Sequence, residues 1–401
     1  MAHVEPVTYT AEFAASSGRT RRVALGPHNV ERVVGGDSSL FRHQRAFASK
    51  TMFAVSVTAA TFDETWARLQ DVDYKRMGEH VYVEALNLVY EGDADAYVKL
   101  VAKAAETGRV LVLQCTDAAV ARAALSACPD AHPLVNGVNA DNLDDFATLA
   151  AKADIALGVH AASLDDFSEF VAQLNGKGCS NLVLDAGGSS VAEAISRLVQ
   201  MRRSIADGGD VRLRYPTIVN VAEWAPGDVH AQVALASLFT CKYASIVVLE
   251  DLTYAEVLAL YGLRQGVFSD PDRPMRVEPG VYSLNGADTN AVCCTTVDFA
   301  MTYYMVAGEL ERSGVPVNMV VTDSGGYSLL TAWATGKFTA DTIADYFNAN
   351  GLADSMQNKT LILPGKVAAL KDELESKMPD WDIVVGPAEA ADLVKFVKAY
   401  Q

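Results

Sequence analysis

The sequence predicts an α/β protein in which a (β/α)8 TIM barrel is followed by a smaller Rossmann-like domain. Three observations predict it. Apolar runs of strand length fall at 52–58, 80–88, 109–115, 133–138, 154–160, 180–185, 211–219 and 245–250, each followed by a helical stretch such as FDETWARLQDV or ADAYVKLVAKAAETG. Eight such alternations in roughly 220 residues match the count and size of a closed barrel. The stretch SDPDRPMRVEPGVYSLNGADTN (269–290), rich in Pro, Asp and Gly and without periodicity, then reads as a linker. After it come three strand–glycine-loop–helix units, whose loops are VTDSGGYSLLTAW (321–333), ILPGKV (362–367) and VVGPAEAADL (384–393). A doubly wound sheet of eight strands is the alternative for the first part.

Taken in order, residues 21–38 (RRVALGPHNVERVVGGDS) alternate around a Pro-His-Asn turn and read as a hairpin that caps the bottom of the barrel. The expected division is an N-terminal segment with this hairpin at 1–50, the barrel at 51–268, the linker at 269–290 and the second domain at 291–401. Within the second domain the periodicity predicts a helix over about 295–312 and a strand at 315–322. A short helix after DSGGYS and helices at 339–349, 366–377 and 388–399 alternate with strands at 359–363 and 381–385.

Composition narrows the function classes. The chain has 401 residues, a formal charge of −17 and a pI near 4.8, which makes nucleic acid and anionic membranes poor partners. The start, MAHVEPVTYTAEF, lacks a basic region followed by an apolar one, and no apolar run approaches a membrane span, so a cytoplasmic location is expected. The six cysteines, at 115, 128, 179, 241, 293 and 294, form no CxxC pair. Core filling is the expected role of the four scattered ones and of the adjacent Cys293 and Cys294.

In a barrel the working residues sit at the carboxyl ends of strands. Glu84, Asn87, Asp117, Asn136, Asn139, His160, Asp185, Asn220, Glu250 and Asp251 are expected there. This mixture of carboxylates and amides suits gripping a pterin ring, polarising a small substrate or lining a docking surface. All seven histidines lie at or before position 230, and none has metal-ligand spacing with another. In the second domain no GxGxxG or GxxxxGK[ST] occurs, which argues against a dinucleotide or a nucleoside triphosphate. Glycine or proline at all three strand ends instead lets the backbone approach a large flat ligand. Thr296 and Thr302, six apart on the opening helix, bracket its ligand-facing side, or else cap the helix and face solvent. Gly325 and Gly326 supply positive φ, Ser328 and Thr331 are candidate caps for the next helix, and Tyr327 and Trp333 are aromatic neighbours that pack on a ring system or, as the simpler reading, on the domain core.

The runs TVDFAMTYYMVAGELE, VTDSGGYSLLTAWATGKFTADTIADYF, KTLILPGKVAALKDELE and WDIVVGPAEAADL, with VALGPHNVERVVGGDSSLFRHQRAF near the start, resemble the large (gamma) subunit family of the corrinoid iron–sulfur protein of acetyl-CoA decarbonylase/synthase. The resemblance spans about residues 20–401. It implies a TIM barrel followed by a Rossmann-like corrinoid-binding domain. It also implies a base-off cobamide held without a histidine ligand, in keeping with the absence of histidine after position 286. By position it carries over Thr296, Thr302, Gly326, Tyr327, Ser328 and Leu329, with Gly365 on the middle loop and Gly386, Pro387, Glu389 and Ala390 on the last. Thr331 lies nearest the lower corrin face in this reading. The resemblance further implies that no protein side chain is a metal ligand and that the cobalt itself is the nucleophile.

The implied role is a methyl carrier that works between a methyl donor or methyltransferase and an acceptor enzyme. Its implied associations are a small barrel subunit in a heterodimer, or self-association. The alternatives are a complete methyltransferase whose barrel binds methyltetrahydrofolate, and a non-catalytic barrel subunit. Two departures stand out. Family members usually begin with a four-cysteine [4Fe–4S] domain that this chain starts beyond, so no cluster in the chain and an external reductive activator are expected. Where Thr-Thr-Asn-Phe is expected, the chain has Thr296, Val297, Asp298 and Phe299.

Overall fold

The computed structural model describes residues 20–36, 49–76, 79–151, 153, 155–206, 209–268 and 275–400. Parts of the expected N-terminal segment (1–19 and 37–48) and of the expected linker (269–274) lie outside the described residues. The chain divides into two compact units, Met1–Phe268 and Ser269–Gln401. No helix among the described residues is long and apolar enough to cross a membrane.

In the first unit, β1 (Arg22–Leu25) and β2 (Arg32–Gly35) form an antiparallel hairpin. Eight parallel strands then close a barrel. They are β3 (Met52–Val57), β6 (Ala85–Val89), β7 (Val110–Gln114), β8 (Leu134–Val138), β9 (Ala156–His160), β10 (Leu182–Asp185), β11 (Thr217–Asn220) and β12 (Ile246–Leu249), with β12 pairing back onto β3. Each expected run overlaps one of these strands, but two runs begin well before theirs. The run at 80–88 begins inside a two-stranded hairpin, β4 (Tyr74–Arg76) with β5 (Glu79–Val81), and enters the barrel only at Ala85. The run at 211–219 starts as a 3-10 turn, and Pro216, which cannot donate to a ladder, delays the strand to Thr217.

Helices start where short polar side chains satisfy free backbone N–H groups. Asp93 accepts from Ala96, and Asp117 accepts from Ala119 and Val120 at 2.8 and 3.2 Å. The strand period of two divides the core. Odd residues of β3 such as Phe53, Val55 and Val57 pack outward beneath the helices, whereas Met52 and Ala54 join Ala85, Val110, Val112, Leu134, Ala156, Val183, Ile218, Ile246 and Val248 inside the barrel. The hairpin residues Val23, Leu25 and Val34 belong to this inner cluster, so the hairpin seals the amino end of the barrel with apolar side chains. Two backbone bonds fix it there, Arg21 N to Arg214 O and Gly26 N to His132 O.

Glu84 is not at a carboxyl end. It precedes β6 at the amino end, where its carboxylate meets the Arg264 guanidinium at 2.7 Å and accepts from the Tyr261 hydroxyl at 2.7 Å, all three residues being nearly or fully buried. This is a structural ion pair, placed at the amino end because the barrel strand begins later than the apolar run. Removing the carboxylate takes the ion pair away from a buried guanidinium, so Glu84→Ala is expected to cost about 3–5 kcal/mol. Urea unfolding followed by circular dichroism checks this; a loss below about 1 kcal/mol would contradict the assignment.

In the second unit β13 (Gly280–Leu284) lies antiparallel to β15 (Val317–Thr322), and β14 (Val292–Val297), β15, β16 (Thr360–Leu363) and β17 (Asp382–Val385) are parallel. The order is β13-β15-β14-β16-β17. Residues 280–284, inside the expected linker, are thus an edge strand of this sheet, where Tyr282 and Ser283 pair with Met319 and Asn318. Alternation survives there, masked in sequence by the surrounding Pro, Gly and Asp. The helix expected from 295 starts only at Ala300 and runs to Ser313. Thr295, Thr296 and Val297 instead complete β14, a fully buried central strand paired on both sides, as its β-branched content favours.

Candidate functional site

From β14 the chain passes to β15 on one side and later to β16 on the other. The carboxyl ends of β14 and β16 therefore flank the point where the strand order reverses, the place where open α/β sheets bind ligands. A cleft of about 260 Å³ opens there. Its floor is Cys294, Thr295 and Thr296 of β14 with Ile362 and Leu363 of β16. Thr302, Met305 and Val306 of the helix Ala300–Ser313 form one wall, and Ser328, Leu329 and Leu330 at the start of the helix Leu329–Ala334 form another. Pro364, Lys366, Gly386, Pro387, Ala388, Glu389, Ala390 and Leu393 close the remainder.

The two loops of that last wall touch. Gly386 N donates to Leu363 O at 2.9 Å and Gly365 N donates to Pro387 O at 3.2 Å. A Cβ on Gly365 would lie 2.5 Å from Gly386 O and 2.8 Å from Ala388 N, so only glycine permits this approach. Across the same loops Lys366 Nζ meets Glu389 Oε1 at 3.0 Å. Both partners are largely exposed, so the pair orients the loops more than it stabilises them.

The loop before Ser328 is held from below by a residue that sequence reading treated only as a departure from the expected pattern. Asp298 is completely buried, and its Oδ1 accepts from Ser324 N at 3.1 Å, from Gly326 N at 2.9 Å and from the Ser324 hydroxyl. Arg276 Nη1 stands 3.8 Å from the other carboxylate oxygen. Gly325 and Gly326 both adopt positive φ, as expected, and this turns the loop over the buried carboxylate.

The structure thus brings Thr296, Thr302, Ser328, Leu329, Gly386, Pro387, Glu389 and Ala390 into one cleft. Gly326, Tyr327, Thr331 and Gly365 are not among the residues that line it. Ser328 stands at the N-cap of the next helix without making a side-chain cap bond, because its hydroxyl donates to Thr331 Oγ1 at 3.0 Å. Thr331 is inside that helix, not at its cap. Tyr327 and Trp333 are not core residues: they are 43% and 39% exposed. With Leu330 on the same segment, and Met301, Tyr304 and Met305 on the neighbouring helix, they make up six of the ten exposed large apolar side chains among the described residues. The spacing of Met301, Tyr304 and Met305 at i, i+3 and i+4 was legible as a stripe, but a stripe by itself does not reveal that it is left uncovered.

Sequence reading missed Thr295, Met305, Leu330 and Lys366. Thr295 is fully buried in the cleft floor and its Oγ1 has no hydrogen-bond partner. Burial pushes the Cys293 and Cys294 thiols up to about 12, so neither is a thiolate at neutral pH, and they fill the core as expected. Cys241 departs from that expectation and is exposed. Among the described residues no group of three His, Cys, Asp or Glu side chains is placed to hold a metal ion.

At the barrel, Asp117 is a helix cap, Asn139 Oδ1 holds a turn through Asp141 N, and Asp251 meets Arg68 at 2.9 Å. Glu250 accepts from Gly227 N and Gln232, both at 2.8 Å. Asn87, Asn136, His160, Asp185 and Asn220 share the inward strand positions of the carboxyl end, in step with the inner apolar residues below them.

Residues 22–397 match the family described as CO dehydrogenase/acetyl-CoA synthase delta subunit. The corrinoid/iron-sulfur protein large subunit of Moorella thermoacetica is 31% identical over 403 residues, covering 99% of this chain and 90% of that protein. The gamma subunits of the acetyl-CoA decarbonylase/synthase complexes of Methanothermobacter thermautotrophicus and Methanopyrus kandleri are 26% and 28% identical, each over 94% of this chain and 85% of the relative. Among solved structures, dihydropteroate synthase of Thermus thermophilus aligns with a TM-score of 0.43 and 15% identity, over 60% of this chain and 99% of that one.

Proposed function

Because this chain belongs to the CO dehydrogenase/acetyl-CoA synthase delta subunit family, we propose that its second unit is a Rossmann-like corrinoid domain that holds a base-off cobamide, and that the chain is a methyl carrier. The observation that carries this reading is the apolar cleft at the strand-order reversal, flanked by the uncovered side chains of Met301, Tyr304, Met305, Tyr327, Leu330 and Trp333. A flat, weakly charged macrocycle is the kind of ligand such a surface accepts.

The residues fit the group. Thr295 offers an unpartnered hydroxyl in the floor, and the glycine-mediated contact of the two last loops leaves backbone exposed to a bulky tail. Thr302, Ser328 and Glu389 supply further polar contacts at the wall, while Met305 and Leu330 exclude water. No histidine lines the cleft, and the one lysine there is engaged by Glu389. Nothing in the cleft therefore offers an imidazole as a lower ligand. A cobamide, when bound, supplies a cobalt centre able to take up and pass on a methyl group.

The relatives are named as subunits of acetyl-CoA decarbonylase/synthase complexes and as a corrinoid/iron-sulfur protein. Those names support a place in a multi-subunit complex, and we infer as partners a small barrel subunit or a second copy of the chain, a methyltransferase, an acceptor enzyme and an external reductive activator. Reconstitution with aquocobalamin followed by exhaustive dialysis tests the binding step. Retention of about one cobalt per chain is expected; loss of all cobalt on dialysis would remove the methyl-carrier reading.

A further inference from the structure

The barrel interior changes character along its axis. Its lower layers are apolar and sealed by the hairpin, as described above. One step further along every strand except β9 and β12, the inward position turns polar: Ser56 follows Ala54, Asn87 follows Ala85, Gln114 follows Val112 and Asn136 follows Leu134. Asp185 and Asn220 likewise follow Val183 and Ile218. Buried polar groups are costly unless paired, and this layer is only partly paired internally. Asn87 donates to Ser56 Oγ at 3.0 Å, and Asn136 spends its amide hydrogens on Gln114 Oε1 at 2.9 Å and Asp185 Oδ2 at 3.1 Å. Asn87 and Asn136 are 2% and 4% exposed, and the Oδ1 of each has no hydrogen-bond partner. On β9, Gly158 leaves the room Asn136 occupies, since a Cβ there would stand 2.1 Å from Asn136 Oδ1.

The buried side-chain atoms of this layer left without a partner are two amide oxygens, Asn87 Oδ1 and Asn136 Oδ1, beside the Asp185 carboxylate, and no lysine or arginine occupies these inward positions. The nearby guanidinium of Arg197 is spent on the carbonyls of Ala161, Ala162 and Gly187 and on Glu193. Glu223, bonded to Asn220 at 3.1 Å, titrates above the ordinary carboxylate range, chiefly through desolvation and then through the Asp185 carboxylate, with Asn220 and His160 acting the other way. A layer built this way repels anions and calls for hydrogen-bond donors.

We propose that the carboxyl end of the barrel is a second ligand site, taking a flat nitrogen heterocycle that presents an amidine-like edge of adjacent N–H groups to Asp185 and to the free amide oxygens of Asn87 and Asn136. The site lies wholly within the first unit, so it stands or falls independently of cobamide binding by the second. A pterin and a guanine base share this edge, and the test separates them.

Calorimetric titration of the full chain with 6,7-dimethylpterin, 9-methylguanine and orotate is the experiment. One of the first two rings should bind at one per chain, the tighter one identifying the ring system, and anionic orotate should not bind. Asp185→Asn keeps the acceptor for Asn136 but removes the charge, and should weaken binding at least about tenfold, a difference of about 1.4 kcal/mol, without moving the urea midpoint. Asn87→Ala should also weaken it. Absence of heat with both amidine-edged rings would overturn the proposal, as would equal affinity of wild type and Asp185→Asn or binding of orotate as tight as either ring.

Discussion

Gly365→Ala is expected to weaken cobamide retention at least about a hundredfold, roughly 2.7 kcal/mol. The atoms that a Cβ would meet are Gly386 O at 2.5 Å, the Pro387 carbonyl carbon at 2.7 Å and Ala388 N at 2.8 Å, all of them backbone. A flexible side chain could swing away; two loops pinned by the strands β16 and β17 cannot. The methyl group must therefore push Ile362–Val367 away from Val384–Ala390 and break the bond from Gly365 N to Pro387 O. That separation opens one whole wall of the cleft while leaving the barrel untouched. Equilibrium dialysis against aquocobalamin reads the loss, and circular dichroism reports whether the fold is retained. Gly308→Ala, in the middle of the helix Ala300–Ser313 with nothing within 4 Å of its Cβ, is the control. It should leave binding unchanged and add up to about 1 kcal/mol of stability. Unchanged retention in Gly365→Ala would mean that the contact between these loops does not shape the site.

Asp298→Ala is expected to destabilise the second unit by about 3–5 kcal/mol, because it strands Ser324 N and Gly326 N in the interior and deletes a carboxylate that accepts three hydrogen bonds on one oxygen. Asp298→Asn preserves an accepting oxygen and should lose much less, about 1 kcal/mol, by dropping the attraction to Arg276. Urea unfolding monitored by tryptophan fluorescence distinguishes them, Trp333 and Trp381 both lying in this unit. If the two variants were equally destabilised, charge and not hydrogen-bond acceptance would be what holds the DSGG loop.

The barrel was legible because its signal is repetitive. Eight apolar runs, each with a following amphipathic helix, leave few alternatives, and the hairpin over 22–35 has a turn chemistry of its own. Strand limits were harder to read, since valine and tyrosine before Ala85 satisfy a hairpin as well as a barrel strand. That is why Glu84 was expected at the working end and lies at the structural one.

In the second unit the glycine loops lie at strand ends that surround one cleft, and eight of the twelve expected site residues line it. Thr296 was expected on a helix because TTVDFAMTYYM carries helical apolar spacing. Pairing of Val292–Val297 with β15, and of Cys293 and Cys294 with β16, overrides that local preference, a tertiary effect that no local pattern encodes. The role of Asp298 was invisible for a related reason: its partners, Ser324 and Gly326, are 26 and 28 residues away. The exposure of Tyr327 and Trp333 was likewise hidden, because aromatic residues on a helix or in the loop that leads into it read as core until the neighbouring elements are placed.

The most direct test of the central claim is the electron paramagnetic resonance spectrum of the full chain reconstituted with cobalamin and reduced to the Co(II) state. The account predicts that the cobalt stays bound and that the signal shows no superhyperfine splitting from an axial nitrogen, since no imidazole lines the cleft and Lys366 is paired with Glu389. A resolved axial nitrogen splitting on protein-bound cobalt would contradict it.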